Sequence, residues 1–307
     1  MIWYCDRMSA TLETPSNSRI AIETHRNAVD LPVRVPGVGT PQRCWRGIRS
    51  TLEMLVLGVA VVLGWLLKSF RTRERLEHGL VLVLPGIEGQ SCLNHNIVRG
   101  LGDAGVPGCI RIFDWTTRLI VLFLVHLRWR KLHQRGVQNL IQQIRDYRRD
   151  YPGRPIYLIG HSGGAAILVL ALQELPEDCQ VDRAILLAGA LSADFNLAPA
   201  LRRVKRGIWS FHSSLDLFYL GLGTLVFGTL DGPRVVSGGC HGFRLPPNAS
   251  EEDKALYAER LHQVPFSRKM IPSFNLGGHL GCTNRVFVAE WVAPLIDISR
   301  PTAPETS

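Results

Sequence analysis

Nowhere in the 307 residues is there a Cys-x-x-Cys pair, a His-Glu-x-x-His helix signature or an internal repeat. A metal site and a repeat architecture are therefore without support, and no cofactor is expected. Cysteine is scattered rather than paired: Cys5, Cys44, Cys92, Cys109, Cys179, Cys240 and Cys282 are odd in number and far apart. This suits thiols in a reducing compartment better than a disulfide framework. Charge of one sign is not concentrated either. The net charge is +9, but basic residues are spread over 43–49, 68–75, 128–135, 145–154 and 202–206 without an aromatic-interleaved stripe. Nucleic acid is not expected as a partner, and an anionic membrane surface fits the charge better.

What is present divides the chain. Residues 1–50 show no sustained periodicity and are rich in Pro, Ser, Thr and Arg, which predicts a mostly disordered N-terminal extension. Residues 54–67 carry no charge, and the run extends to 51–70 if Glu53 and Lys68 sit at the interfaces. At about 1.5 Å per residue some twenty residues just cross a hydrocarbon layer of ~30 Å. The segment 51–72, with its basic flank, is thus expected to be a single N-terminal membrane-anchor helix. Arginines lie on both sides of it, with a slight excess after it, which favours a cytoplasmic catalytic domain. Residues 300–307 read as a tail.

Between 79 and 299 the pattern changes. Leu80–Leu84 is a buried-strand run, and further strands are predicted at 109–113, 156–159, 184–187 and 208–211. Val137, Leu140, Ile141 and Ile144 recur at i, i+3, i+4 and i+7, the mark of an amphipathic helix, and 286–291 predicts a closing helix. Strands alternating with helices imply an α/β fold, a mostly parallel sheet covered by helices on both faces.

One stretch organises this domain. The predicted strand at 156–159 runs into Gly160-His161-Ser162-Gly163-Gly164 and then into an apolar helical segment. This Gly-x-Ser-x-Gly reads as a nucleophile elbow, a tight turn that holds Ser162 Oγ clear of the backbone and within reach of a base. Gly160 and Gly164 stand where side chains would collide, and the Gly163 N–H is offered to a developing oxyanion. Chemistry in an open α/β sheet gathers beyond the carboxyl ends of strands. Three stretches qualify: the Gly86-Ile87-Glu88 turn, where Ile87 can give a second oxyanion N–H; Asp216, placed to orient a histidine; and His279 among Gly277, Gly278 and Gly281. Asp194 also follows a strand and competes with Asp216, which is favoured because Ser213 and Ser214 can hold its carboxylate.

Gly160-His161-Ser162-Gly163-Gly164, Leu84-Pro85-Gly86-Ile87, Asp216 and Gly278-His279 occur in an order that resembles the α/β-hydrolase family over roughly residues 79–299. The resemblance implies Ser162 as nucleophile, His279 as general base and later acid, Asp216 as its orienting acid, and the Gly163 and Ile87 amides as oxyanion hole. Two departures stand out. The chain between the strands at 184 and 208 is too short for a large cap, and the 62 residues between Asp216 and His279 imply an insertion.

Residues 119–125 and 217–230 are apolar and suit an acyl chain or a membrane interface. The expected activity is hydrolysis of lipophilic carboxylic esters through an acyl-enzyme. The alternatives are a serine acyltransferase or peptidase on the same fold, or a non-catalytic membrane-associated module. His95, His126, His161, His212, His241 and Glu88 are read as packing, solvated or turn residues.

Overall fold

The computed structural model describes residues 31–54, 67–216, 220 and 228–297. Strands β1 (Leu80–Leu84), β2 (Cys109–Ile112), β3 (Ile156–His161), β4 (Arg183–Leu187), β5 (Ile208–His212) and β6 (Leu261–Pro265) form one sheet in the order β2-β1-β3-β4-β5-β6. Every neighbouring pair is parallel.

The apolar runs of β1 and β3 are buried on both faces because successive side chains enter different cores. Leu80, Leu82, Leu84 and Leu158 pack with Leu140 of helix α5 (Arg130–Asp150) and Ile167 of α6 (Gly163–Glu174). Val81, Val83, Ile159 and Phe211 face the other way, against Ile97 of α3 (Cys92–Asp103) and Phe287 and Trp291 of the closing helical segment. The short α2 (Arg73–Leu76) leads into β1, and α4 (Phe123–Arg128) meets α5 at a break on Trp129. Between β4 and β5 the connection holds only α7 (Ala198–Arg202). The long stretch between Asp216 and His279 contains the helix Glu251–Arg260 and the edge strand β6.

The N-terminal expectations need correction. Residues 40–50 are not disordered but form most of helix α1 (Thr40–Met54), docked on the domain. Arg43 Nε donates to Glu290 Oε1 at 2.6 Å, Asn284 Nδ2 to the Gly47 carbonyl at 3.2 Å, and the Arg285 amide to Ser50 Oγ at 3.0 Å. Glu53 pairs with Arg99 at 2.9 Å. This docking face is mainly polar, whereas Trp45, Ile48 and Leu52 point to solvent, so the hydrophobic pattern carries no sign of it.

The membrane anchor finds no support. Among the described residues no helix is long and apolar enough to cross a membrane. Most of the expected span, residues 55–66, lies outside the described residues. The parts of the run on either side of it are packed on the domain, Met54 at the end of α1 and Leu67 in the core with Val81. Part of the apolar stretch 217–230 likewise lies outside the described residues.

Candidate active site

Ser162 sits between β3 and α6 with φ 53° and ψ −120°, a backbone conformation that non-glycine residues avoid and that points to a functional constraint. The turn is possible because its flanking glycines leave no side chain. A Cβ on Gly160 would meet the Ala165 Cα at 2.5 Å, and one on Gly164 would collide with the Leu84 and Pro85 carbonyls. The elbow is thereby pressed against the end of β1. A Cβ on Gly163 would stand 2.9 Å from Ile87 Cγ2 and 3.5 Å from its amide nitrogen, so Gly163 and Ile87 face each other across the two turns.

The turn after β1 is braced from outside. Trp115 Nε1 donates to the Pro85 carbonyl at 2.8 Å. His126, buried on α4, bonds the Ile87 carbonyl through Nδ1 at 2.7 Å and Thr117 Oγ1 through Nε2 at 2.7 Å. A carbonyl only accepts, so Nδ1 carries the proton. The His126 carbonyl takes a bond from His133 Nε2 at 2.6 Å. Farther along, a capping box between Ser91 and Asn94 starts α3.

Asp216, in the turn after β5, and His279 are both buried and joined by a 2.6 Å bond between Oδ2 and Nδ1. Nδ1–H donates, which makes Nε2 the basic nitrogen of a neutral ring. The His279 loop is tied to the elbow by His161, whose Nε2 donates to the His279 carbonyl at 3.1 Å and whose ring centroid lies 4.9 Å from that of His279. Burial first, and the neighbouring His279 second, lower the His161 pKa to about 3, so it is a neutral prop. Cys282 Sγ donates to the same carbonyl at 3.4 Å, and burial keeps it a thiol.

Glu88 is the carboxyl that sequence reasoning left as a turn residue. Its Oε2 lies against the place of a Gly86 Cβ, itself only 3.2 Å from Ser162 Cβ. Burial pushes its pKa up to about 7, opposed by bonds from the Glu88 and Gly86 amides and by attraction to His279. A carboxylate inside a glycine turn ending an apolar strand was the available signal. For His126 the signal was a lone polar residue in the apolar run 119–127. Asp194 is elsewhere, on the surface in an ion pair with Arg244 at 2.8 Å. It does not cap α7, whose N-cap is Leu197. Among the described residues no group of three His, Cys, Asp or Glu side chains is placed to hold a metal ion.

This parallel sheet, with a strained Gly-x-Ser-x-Gly turn on a central strand, coincides with a family match: the family model described as serine aminopeptidase, S33, covers residues 128–224. Over these residues the chain is similar to the α/β-hydrolase family. Over 40 residues it is 42% identical to human monoglyceride lipase, a match spanning 13% of this chain and 13% of that protein. Among solved structures, the chain resembles an α/β-superfamily hydrolase from Xanthomonas campestris pv. campestris at 16% identity and TM-score 0.34, covering 68% of this chain and 96% of that one. A cutinase-like protein from Cryptococcus sp. matches at 15% identity and TM-score 0.33, covering 71% and 90%. The thioesterase domain from the curacin biosynthetic pathway matches at 14% and 0.34, covering 72% and 91%.

Proposed function

We propose that this protein is a serine esterase acting on lipophilic carboxylic esters, with Ser162 as nucleophile, His279 as base and acid, Asp216 as orienting carboxylate, and the Ile87 and Gly163 amides as oxyanion hole. The observation that carries the reading is the buried Asp216–His279 bond at 2.6 Å beside the strained Ser162 turn. The lipophilic preference is supported by Leu215 and Leu276, 58% and 66% exposed, the first adjoining the acid in the chain and the second on the glycine loop leading to the base. The short likeness to a monoglyceride lipase supports the same preference.

In this reading Ser162 Oγ bonds to the acyl carbon as its proton passes to His279 Nε2. The carbonyl electron pair moves onto oxygen, where the two amides receive it. Asp216 holds the Nδ1 proton and stabilises the imidazolium. The tetrahedral species collapses, the imidazolium protonates the departing alkoxide, and an acyl-enzyme and an alcohol result. Water, deprotonated by His279, then attacks the acyl carbon, and Ser162 leaves with the proton returned to it. The family description favours one second reading, in which the leaving group is an amine.

The test is fluorophosphonate labelling together with turnover of p-nitrophenyl esters of graded chain length and of aminoacyl p-nitroanilides. Wild-type protein should label and prefer the longer esters, and Ser162→Ala should do neither. Ester turnover by Ser162→Ala at the parent rate would remove the serine from the chemistry. Turnover confined to anilides would establish the amine reading.

A further inference from the structure

The connection from β2 into α5 opens an apolar face to solvent through Leu119, Val121, Phe123, Leu124, Val125 and Trp129, with Val121 at 80% exposure. Single exposed apolar residues are ordinary on a protein surface, but a contiguous set marks an interaction site. Its charge is one-sided. Arg118, Arg128, Arg130, Lys131 and Arg135 are exposed around it, and no acidic residue occurs from Trp115 to Arg145. The face is also rooted in the domain: His126 and Leu132 are buried, and His133 Nε2 bonds the His126 carbonyl at 2.6 Å.

We infer that this face docks on an anionic lipid bilayer, with the apolar side chains entering the boundary between headgroups and acyl chains and the basic side chains meeting the lipid anions. Charge complementarity selects this occupant. A partner must offer negative charge and an apolar layer side by side, with no cation to meet the arginines, and an anionic bilayer does so over its whole area. Trp129, at the break between α4 and α5, suits the interfacial layer where an aromatic ring has one apolar and one wet side. Docking brings the oxyanion turn to the lipid surface, because His126 joins this element to the Ile87 carbonyl at 2.7 Å. The surface is a property of the chain whether or not Ser162 is the nucleophile.

The experiment is co-sedimentation of the full chain, as Ser162→Ala so that hydrolysis plays no part, with vesicles of phosphatidylcholine alone or mixed with phosphatidylserine. Binding should favour the mixed vesicles and weaken in high salt. Arg130→Gln with Lys131→Gln should lose about 30-fold in partitioning onto mixed vesicles, the loss expected for two cationic side chains near an anionic surface. Val121→Glu should lose binding to both kinds of vesicle. On the Ser162 background, all these surface variants should hydrolyse a short soluble ester at the parent rate. As an independent readout, brominated lipid should quench tryptophan emission less in Trp129→Phe than in Trp45→Phe. Equal binding to both vesicle types, surface variants that partition like the parent, or quenching lost only with Trp45 would each overturn the inference.

Discussion

The imidazole of His126 donates to the carbonyl of Ile87 at 2.7 Å, so a helix whose outer side is exposed fixes the turn beside the proposed nucleophile. Replacing His126 by Phe keeps the volume and removes the donor. The turn should then keep the Trp115 brace but lose this one, and kcat should fall about tenfold with little change in KM, a smaller loss than removing an oxyanion donor itself. His126→Gln, which can still donate, should recover part of kcat. A Phe variant with parent kcat would show that Trp115 suffices.

Asp216 and Asp194 separate cleanly. Asp216→Asn no longer fixes the His279 tautomer and should lower kcat by about 10⁴, the cost of the same change in the serine-protease template. Asp194→Asn disturbs only an exposed pair with Arg244, which stabilises little. It should leave both turnover and melting temperature near the parent. Steady-state kinetics and a thermal melt on the two variants check this, and an inactive, stable Asp194 variant would exchange the assignment.

Glu88 gives the pH dependence a sign. It ionises as pH rises through about 7, setting negative charge near the oxyanion position proposed above. The profile of kcat/KM should fall as Glu88 loses its proton, and Glu88→Gln should lose that falling limb. Stability follows the same group. The folded chain holds a proton that the unfolded chain releases from 4.5 upward, so this contribution is greatest below that value and is lost as pH rises through about 7. Denaturant titrations of the Gln variant should lack that decline. A falling limb shared by both proteins would assign it to another group.

Arg43 should matter more than a surface arginine. It donates to both oxygens of the buried Glu290, at 2.6 and 2.8 Å, while Ser273 Oγ donates to Oε2 at 2.7 Å. Burial pushes the Glu290 pKa up, but these bonds outweigh it and hold the carboxyl below its ordinary range. Arg43→Ala should cost roughly 3 kcal/mol, as expected when one partner of a buried pair is removed. The wild-type contribution should be present above the ordinary carboxylate range and vanish as pH falls through the depressed value. Urea unfolding of both proteins measures the difference, and an unchanged midpoint would make the contact incidental.

The strands that the sequence made legible are those buried on both faces. Leu80–Leu84 needs no tertiary information to be recognised, because both cores demand apolar residues there. Strand β6 escaped notice because Leu261-His262-Gln263-Val264-Pro265 lies at the edge of the sheet and buries only Leu261 fully. Helix α3 was hidden differently. Asn94, His95 and Asn96 are polar yet buried, and Asn94 is satisfied through the capping box, so periodicity reads them as solvent-facing. At the site, Ser162 was legible because the turn itself demands glycines. His161 and His126 were not, because each acts by hydrogen bonding a carbonyl that only the folded chain brings near.

The clasp between α1 and the closing helical segment joins residues 247 positions apart in the chain. On a ribosome, Arg43 emerges long before Glu290, and Gly47 and Ser50 before Asn284 and Arg285. A helix of 15 residues is marginal in isolation, and while the sheet is being laid down α1 has only its contacts with α3, such as Glu53 with Arg99, to hold it. The first helix of the described chain is thus fully seated only once the closing helical segment is in place. Arrival of the closing helical segment, rather than emergence of the N-terminal helix, is the event that completes this clasp.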